Sequence, residues 1–381
     1  MPIHRLTDVL RNHVADLEEK GTAKGAEQVV TKAIPPSGDR GPRFHLQGEG
    51  EKEFLRMNSN SYLGMSLRPE IMKAEEEGTA QYGAGPGAVR FISGTYDVHT
   101  GLEGDLAAFH GREDAMIFSS AYATIMGTIS PLVTKETVLI SDELNHNCII
   151  NAVRLSRPKA KVVYPHLDMA ALEKSLVENK GQAARALVIT DGIFSMRGDH
   201  APMDEIMALA QKHDDDYPEN VVVVMDDSHG VGAFGETGRG TEEYTSADPI
   251  DILVGTLGKA FGVNGGYVTS NADLIRFLRE SAPFYIYSNP ITPGEAKAAQ
   301  ASLRLLDSNR GRGLLVHLRA MTKRFEDGLG TLGMETIPGE HPVVPLMVRD
   351  TAKTNALVEH LYSNGVLATG LAYPVVPRGD E

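Results

Sequence analysis

Several features that define protein classes are scarce in this chain. One cysteine, Cys148, in 381 residues excludes an intrachain disulfide framework and fits a reducing compartment. No apolar run approaches the roughly 18 residues of a spanning helix, and no hydrophobic signal segment opens the chain. Positive charge is in deficit: 37 Lys and Arg stand against 51 Asp and Glu, a formal net charge of −14. That balance speaks against nucleic acid or an anionic membrane surface as the main partner. Any anionic ligand must then be met by a local cluster of donors. No group of His, Cys and carboxylates has metal-site spacing. A soluble, cytoplasmic protein is the expectation.

What is present reads as an α/β pattern. Leu6, Val9, Leu10, Val14 and Leu17 recur at helical spacing, so residues 5–20 are expected to form an amphipathic helix. Residues 35–42, rich in Pro and Gly, read as a loop or linker. Seven short apolar runs follow: Ala115–Ser120, Thr137–Ser141, Val162–Tyr164, Ala186–Thr190, Val221–Met225, Ile252–Thr256 and Gly266–Thr269. Helical patterns such as Met169–Val177, Met203–His213 and Leu274–Ser281 lie between them. This alternation predicts a largely parallel sheet with helices on both faces. A closing α+β segment is expected from a helix at Thr351–Ser363 flanked by short strands. The expected divisions are an N-terminal helix and linker over 1–57, a large domain over 58–290 and a small C-terminal domain over 291–381.

In such sheets ligands sit outside the carboxyl ends of the strands, so the residues there carry most weight. Ile252–Thr256 runs into Leu257, Gly258 and Lys259. Desolvating an ammonium is unfavourable unless something uses it, and a lysine of lowered pKa is a ready covalent catalyst through a Schiff base. Asp226 and Asp227 close the Val221–Met225 run. Such a carboxylate either faces a cation, as the protonated nitrogen of a heterocycle would supply, or caps the next turn. Ser119, Ser120, Ala121 and Tyr122 begin a helical pattern, which makes either a phosphate site or an ordinary cap. His146 is suited to stacking on a flat ring or to proton transfer, or is a structural histidine. Ser195 offers a hydroxyl after Ala186–Thr190, or marks a plain turn. Residues 82–90 are glycine-rich, but the spacing is not that of a dinucleotide fingerprint and Pro86 interrupts it; a loop near substrate is expected. Cys148 is expected to be a small buried apolar residue.

Taken together these stretches resemble the α-oxoamine synthases, fold-type I pyridoxal phosphate enzymes. The resemblance runs from about residue 50 onward through Asn60–Gly64, Ser141–His146, Asp191–Met196, Asp226–His229 and Thr256–Lys259. Arg90–Thr95 and Tyr373–Pro377 look most like the glycine C-acetyltransferase branch. It implies a mostly parallel seven-stranded sheet and pyridoxal 5′-phosphate as cofactor. Lys259 would form the Schiff base, Asp226 would pair with the pyridine nitrogen, and His229 and Ser195 would contact the phenolic oxygen. His146 would stack on the ring. Ser120, Ala121, Tyr122, Thr256 and a partner subunit's Ser288 would hold the phosphate, and Asn60 would lie near the substrate carboxylate.

The resemblance further implies a homodimer with shared sites, acting on an amino acid and an acyl-CoA. Glycine and acetyl-CoA are the favoured pair. Decarboxylative relatives, a fold-type I aminotransferase and a non-catalytic partner subunit are the alternatives. Two departures stand out. Gln28 lies at or near the place of a substrate-facing arginine of the family. The family's carboxylate-binding arginine falls a few residues beyond Pro377, whereas this sequence stops at Glu381; a chain shortened at that end is the expectation.

Overall fold

In the computed structural model, residues 3–20, 23, 25–373 and 376–381 are described. Pro374 and Val375, within the Tyr373–Pro377 stretch, lie outside that set. The chain forms two compact units, Met1–Ser59 with Leu346–Glu381, and Asn60–Pro345.

In the smaller unit, α1 (His4–Glu19) is followed by β1 (Val30–Ile34) and β2 (Arg43–Leu46), which pair antiparallel. Residues 35–42 are the turn of this hairpin, where Ser37 and Arg40 bridge. β3 (Leu55–Arg56) pairs in parallel with Val366–Leu367. Phe54, Leu46 and Leu367 make a small core against Tyr362. The predicted helix appears at Thr351–Ser363, with the Asp350 side chain accepting the Lys353 N–H as its cap.

The larger unit carries helix α2 (Pro69–Tyr82) and is built on seven strands: β4 (Asp114–Phe118), β5 (Thr137–Asp142), β6 (Ala160–Tyr164), β7 (Arg185–Asp191), β8 (Val221–Asp226), β9 (Ile252–Thr256) and β10 (Gly266–Ser270). Their order across the sheet is β4-β10-β9-β8-β7-β5-β6. β10 is antiparallel to both neighbours, and the other pairings are parallel. All seven apolar runs of the sequence are therefore strands of one sheet.

Alternation within each strand divides the side chains between two cores. Ile117, Ile140, Val188, Val223 and Leu253 pack on one face with α3 (Asp97–His110) and the helices Met169–Asn179 and Met203–Lys212. Phe118, Leu139, Leu187, Val224 and Val254 pack on the other with α4 (Ala121–Leu132), α5 (Asn147–Leu155) and Ala272–Ser281. A sheet covered on both faces needs unbroken apolar strands, which is why the sequence shows runs and no polar alternation.

The expected division at residue 57 falls close to the observed break after Ser59. The second break comes after Pro345 and not near 290. Helix Pro293–Leu306 explains the difference: its Ala296, Ala299 and Leu303 belong to the large unit's own core. Among the described residues no helix is long and apolar enough to cross a membrane.

Candidate active site

The carboxyl ends of the parallel strands and of β4 meet at one edge of the sheet. Gly266, where β10 begins, lies opposite both Thr256 and Phe118, the last residues of β9 and β4. A pocket opens there, lined by Ala121, Tyr122, His146, Cys148, Asp191, Ile193, Ser195, Asp226, Ser228, His229 and Lys259.

Lys259 follows β9 through a tight turn. Leu257 N–H donates to the Gly265 carbonyl at 3.0 Å, Val263 N–H to Leu257 at 2.9 Å, and Gly262 N–H to Lys259 itself at 3.0 Å. Burial lowers the Lys259 ammonium from its ordinary range, and the charges of Asp226 and Asp191 oppose this without cancelling it.

Asp226 and Asp227 part at the end of β8 because successive side chains of a strand point to opposite faces. Asp226 lines the pocket. Its Oδ1 accepts the Ser228 N–H at 3.1 Å, and its Oδ2 lies 3.6 Å from the Cys148 thiol. Asp227 turns away and is fully enclosed. It accepts the Thr241 N–H at 2.8 Å and the Thr241 hydroxyl at 2.6 Å. A Cβ at Gly192, Gly230 or Gly240 would run into this carboxylate. Both aspartates thus accept a backbone N–H of the segment that follows, and Asp226 alone of the two also lines the pocket.

The two histidines are anchored through their Nδ1 atoms. His146 caps α5, its Nδ1 accepting the Cys148 N–H at 3.2 Å, and its backbone N–H donates to Asp191 Oδ2 at 2.8 Å. His229 Nδ1 faces the Tyr62 hydroxyl at 2.7 Å. Burial lowers His146, helped by Lys259 and opposed by Asp226. Burial, Lys259, His341 and His146 hold His229 well below the usual histidine range.

Asp191 and Ser228 are pocket residues to which the sequence assigned no role, and Cys148, expected only as a small buried residue, lines the pocket with them. Asp191 lies directly across from Asp226 in the strand register. Burial and the charge of Asp226 push its carboxyl well up. The signal was available, because equal offsets past two adjacent parallel strands bring side chains together. The buried Ser228 hydroxyl has no hydrogen-bond partner in the pocket wall.

Other expected residues sit elsewhere or are already engaged. The Ser120 hydroxyl caps α4 by accepting the Ala123 N–H at 3.1 Å. Thr256 Oγ1 donates to the Gly265 carbonyl at 3.2 Å and accepts the Gly258 N–H at 3.1 Å, so it holds the lysine turn. Asn60 is exposed, and neither it nor Ser288 lines the pocket of its own chain. Gln28 is likewise exposed.

Ser195 rides on a loop fastened from outside the pocket. His166 Nδ1 meets Asp142 at 3.0 Å and Nε2 meets Asp199 at 3.3 Å, while Phe194 abuts the ring edge. Burial would lower His166, but the bonds to Asp142 and Asp199 outweigh it and hold it up at about 9. A raised histidine stabilises the fold fully below its unfolded value of about 6.5, and the contribution fades as pH rises through 9. His166→Gln is expected to cost about 1–3 kcal/mol near pH 6. The gap in denaturation midpoint should narrow as pH rises from about 6.5 to 9 and stay small above that. A gap constant with pH would refute the clamp.

These groups suit pyridoxal phosphate. A desolvated amine, a buried carboxylate and an unpartnered hydroxyl converge on one pocket. The first residues of α4, whose N–H groups have no carbonyl within the helix, provide an anion site at its wall.

Comparison with known proteins agrees. Residues 52–380 match the family described as Aminotransferase class I and II. An 8-amino-7-oxononanoate synthase of Geobacter sulfurreducens is 36% identical over 375 residues, 98% of this chain and 91% of the relative. The mitochondrial 2-amino-3-ketobutyrate coenzyme A ligase of Homo sapiens is 37% identical over 377 residues, 98% of this chain and 86% of the relative. Among solved structures, serine palmitoyltransferase of Sphingomonas wittichii superposes with a TM-score of 0.86 at 27% identity, covering 99% of this chain and 90% of the other. A second serine palmitoyltransferase, solved with PLP, gives 0.86 at 26% identity over 98% of this chain and 90% of the other. The chain therefore belongs to the aminotransferase class I and II family, as a pyridoxal phosphate-dependent enzyme of its α-oxoamine synthase branch.

Proposed function

We propose that this protein joins an amino acid to the acyl group of a coenzyme A thioester, with glycine and acetyl-CoA as the substrate pair. The observation that carries the reading is the convergence of a desolvated Lys259 with the Asp226 carboxylate in one pocket at the strand ends. When bound, pyridoxal phosphate supplies an electron sink for a carbanion next to an amino group.

Lys259 would hold the cofactor's aldehyde carbon through its amine and, once displaced by substrate, take the α-proton on Nζ. Its lowered basicity leaves more of that amine neutral and able to accept a proton. Asp226 would stand opposite the ring nitrogen as its counter-charge. His146 would lie on the ring face, and His229 and Ser195 would bond the phenolic oxygen. Ala121, Tyr122, Thr256 and Ser288 of the partner subunit would surround the phosphate in a homodimer. In the net reaction the amino acid α-carbon bonds to the thioester carbonyl carbon, and the C–S bond breaks to release CoA. With glycine no carboxylate need leave.

The glycine branch is favoured by its likeness to Arg90–Thr95. A second reading, in which CO2 is lost, is supported by relatives of the 8-amino-7-oxononanoate synthase kind at similar identity. A panel of amino acids and acyl-CoAs, followed by thiol titration and CO2 capture, tests both. Glycine with acetyl-CoA is expected to release CoA and no CO2. CO2 release with alanine or serine and a longer acyl-CoA would favour the second reading. No CoA from glycine and acetyl-CoA sinks the first. Amino transfer to a 2-oxo acid without thioester would assign an aminotransferase.

A further inference from the structure

We propose that Tyr62 is a positioning residue whose phenol locks His229 in the tautomer that presents Nε2–H to the cofactor pocket. What that N–H meets rests on the function proposed above; the tautomer rests on hydrogen bonding alone.

A neutral imidazole has one N–H and one bare nitrogen. The Tyr62 hydroxyl lies 2.7 Å from His229 Nδ1, and this ring nitrogen is its hydrogen-bond partner among the described residues. If Nδ1 carried the hydrogen, the phenol would accept it and its own O–H would go unmet. Leaving such a half-buried donor unmade is unfavourable. With the phenol donating, both groups are satisfied and the histidine's hydrogen falls to Nε2. That nitrogen is the one left for the pocket His229 lines.

The protonation states make the choice a real one. Burial pushes the Tyr62 phenol up, so it keeps the proton it donates. His229 is held neutral by burial and by Lys259, His341 and His146. A cationic imidazole would have two N–H groups and nothing to lock.

A second histidine supports the pair from behind. Buried His341 donates Nε2–H to the His229 carbonyl at 2.9 Å and accepts the Val343 N–H on Nδ1 at 3.2 Å, so its own tautomer is set. Its ring meets Tyr62 edge-on at 5.4 Å and Phe234 at 5.6 Å. His229 is thereby fixed at its backbone by His341 and at its ring by Tyr62. The tyrosine's position, 167 residues earlier in the chain, makes the contact purely tertiary.

The test begins on the chain without cofactor. Protein labelled with 15N in histidine should show His229, assigned by its disappearance in His229→Gln, as the Nε2–H form near pH 7.5. Tyr62→Phe keeps the ring against His341 and removes only the hydroxyl. It should give a tautomer mixture and a His229 that titrates at higher pH, because a donor to its bare nitrogen is gone. An Nδ1–H form in the unchanged chain overturns the proposal, and that spectrum decides even where Tyr62→Phe fails to fold. With pyridoxal phosphate added, the pH at which the visible absorption changes should move by about one unit, a tenfold change in proton affinity. kcat should fall more than KM rises. A confirmed tautomer with an unmoved absorption profile would overturn the cofactor contact assigned to His229 while leaving the lock standing.

Discussion

Lys259→Ala protein given pyridoxal phosphate is expected to lack the visible absorption of a lysine-attached cofactor and to release CoA at least about 10³-fold more slowly. In the proposed reaction the amine would have two tasks that no neighbour can take over, holding the cofactor and taking the α-proton. Lys259 is the one lysine or arginine among the residues that line the pocket. Its turn is built backbone to backbone between Leu257 and Gly265, so removing the side chain leaves the platform intact. Lys259→Arg separates charge from chemistry. Arginine preserves the cation opposite Asp226 and Asp191 but cannot give up its proton, so its activity should fall as far as that of the alanine variant. Borohydride reduction and mass spectrometry check the attachment directly, with the cofactor's mass expected on the Lys259 peptide of the unchanged chain. Trapped cofactor on another lysine would overturn the assignment.

The sheet was legible because its physics is local. Strands covered on both faces must be apolar throughout, and Val221–Met225 or Ile252–Thr256 can be little else. The rule that ligands sit beyond the carboxyl ends then pointed to His146, Ser195, Asp226 and Lys259, the family resemblance added His229, and the structure gathers all five around one pocket. What escaped was set by long-range geometry. The smaller unit joins the two ends of the chain: β3 pairs with Val366–Leu367, and Lys52 donates to the Tyr362 carbonyl at 3.0 Å. Local composition can mark each of these strands, but not a partner some 310 residues away. Tyr62 was visible only as part of the Asn60–Gly64 stretch, and its partner could not be read.

Cys148 shows a subtler limit. It is buried, as a small apolar residue should be. Its thiol nevertheless lies 2.9 Å from His146 Nδ1 and 3.6 Å from Asp226 Oδ2, so it packs between two polar groups of the site. Burial, then the charges of Asp226 and Asp191, push the thiol far up, which keeps it protonated and unreactive.

Asp226→Asn should cost about 10²–10³-fold in turnover while changing the fold little. Asparagine has nearly the same shape and can still accept the Ser228 N–H, so the turn after β8 is retained. The negative charge is what disappears, and three neighbours register it. Lys259 loses the carboxylate that most opposes its desolvation, so its amine should become still less basic. His146, held up by Asp226 against burial and Lys259, should fall further. Asp191, held high by burial and then by Asp226, should ionise more readily and become the nearest counter-charge. The cofactor's ring nitrogen would then face an amide, which gives no reason for it to stay protonated, and the electron sink weakens. A melting temperature within a few degrees of the parent together with the loss of turnover would separate charge from folding. The companion variant Asp191→Asn decides which carboxylate serves the ring. Removing Asp191 relieves repulsion on Asp226 and should leave most activity in place. If Asp191→Asn abolished turnover and Asp226→Asn spared it, the strand-end register would have assigned the two aspartates the wrong way round.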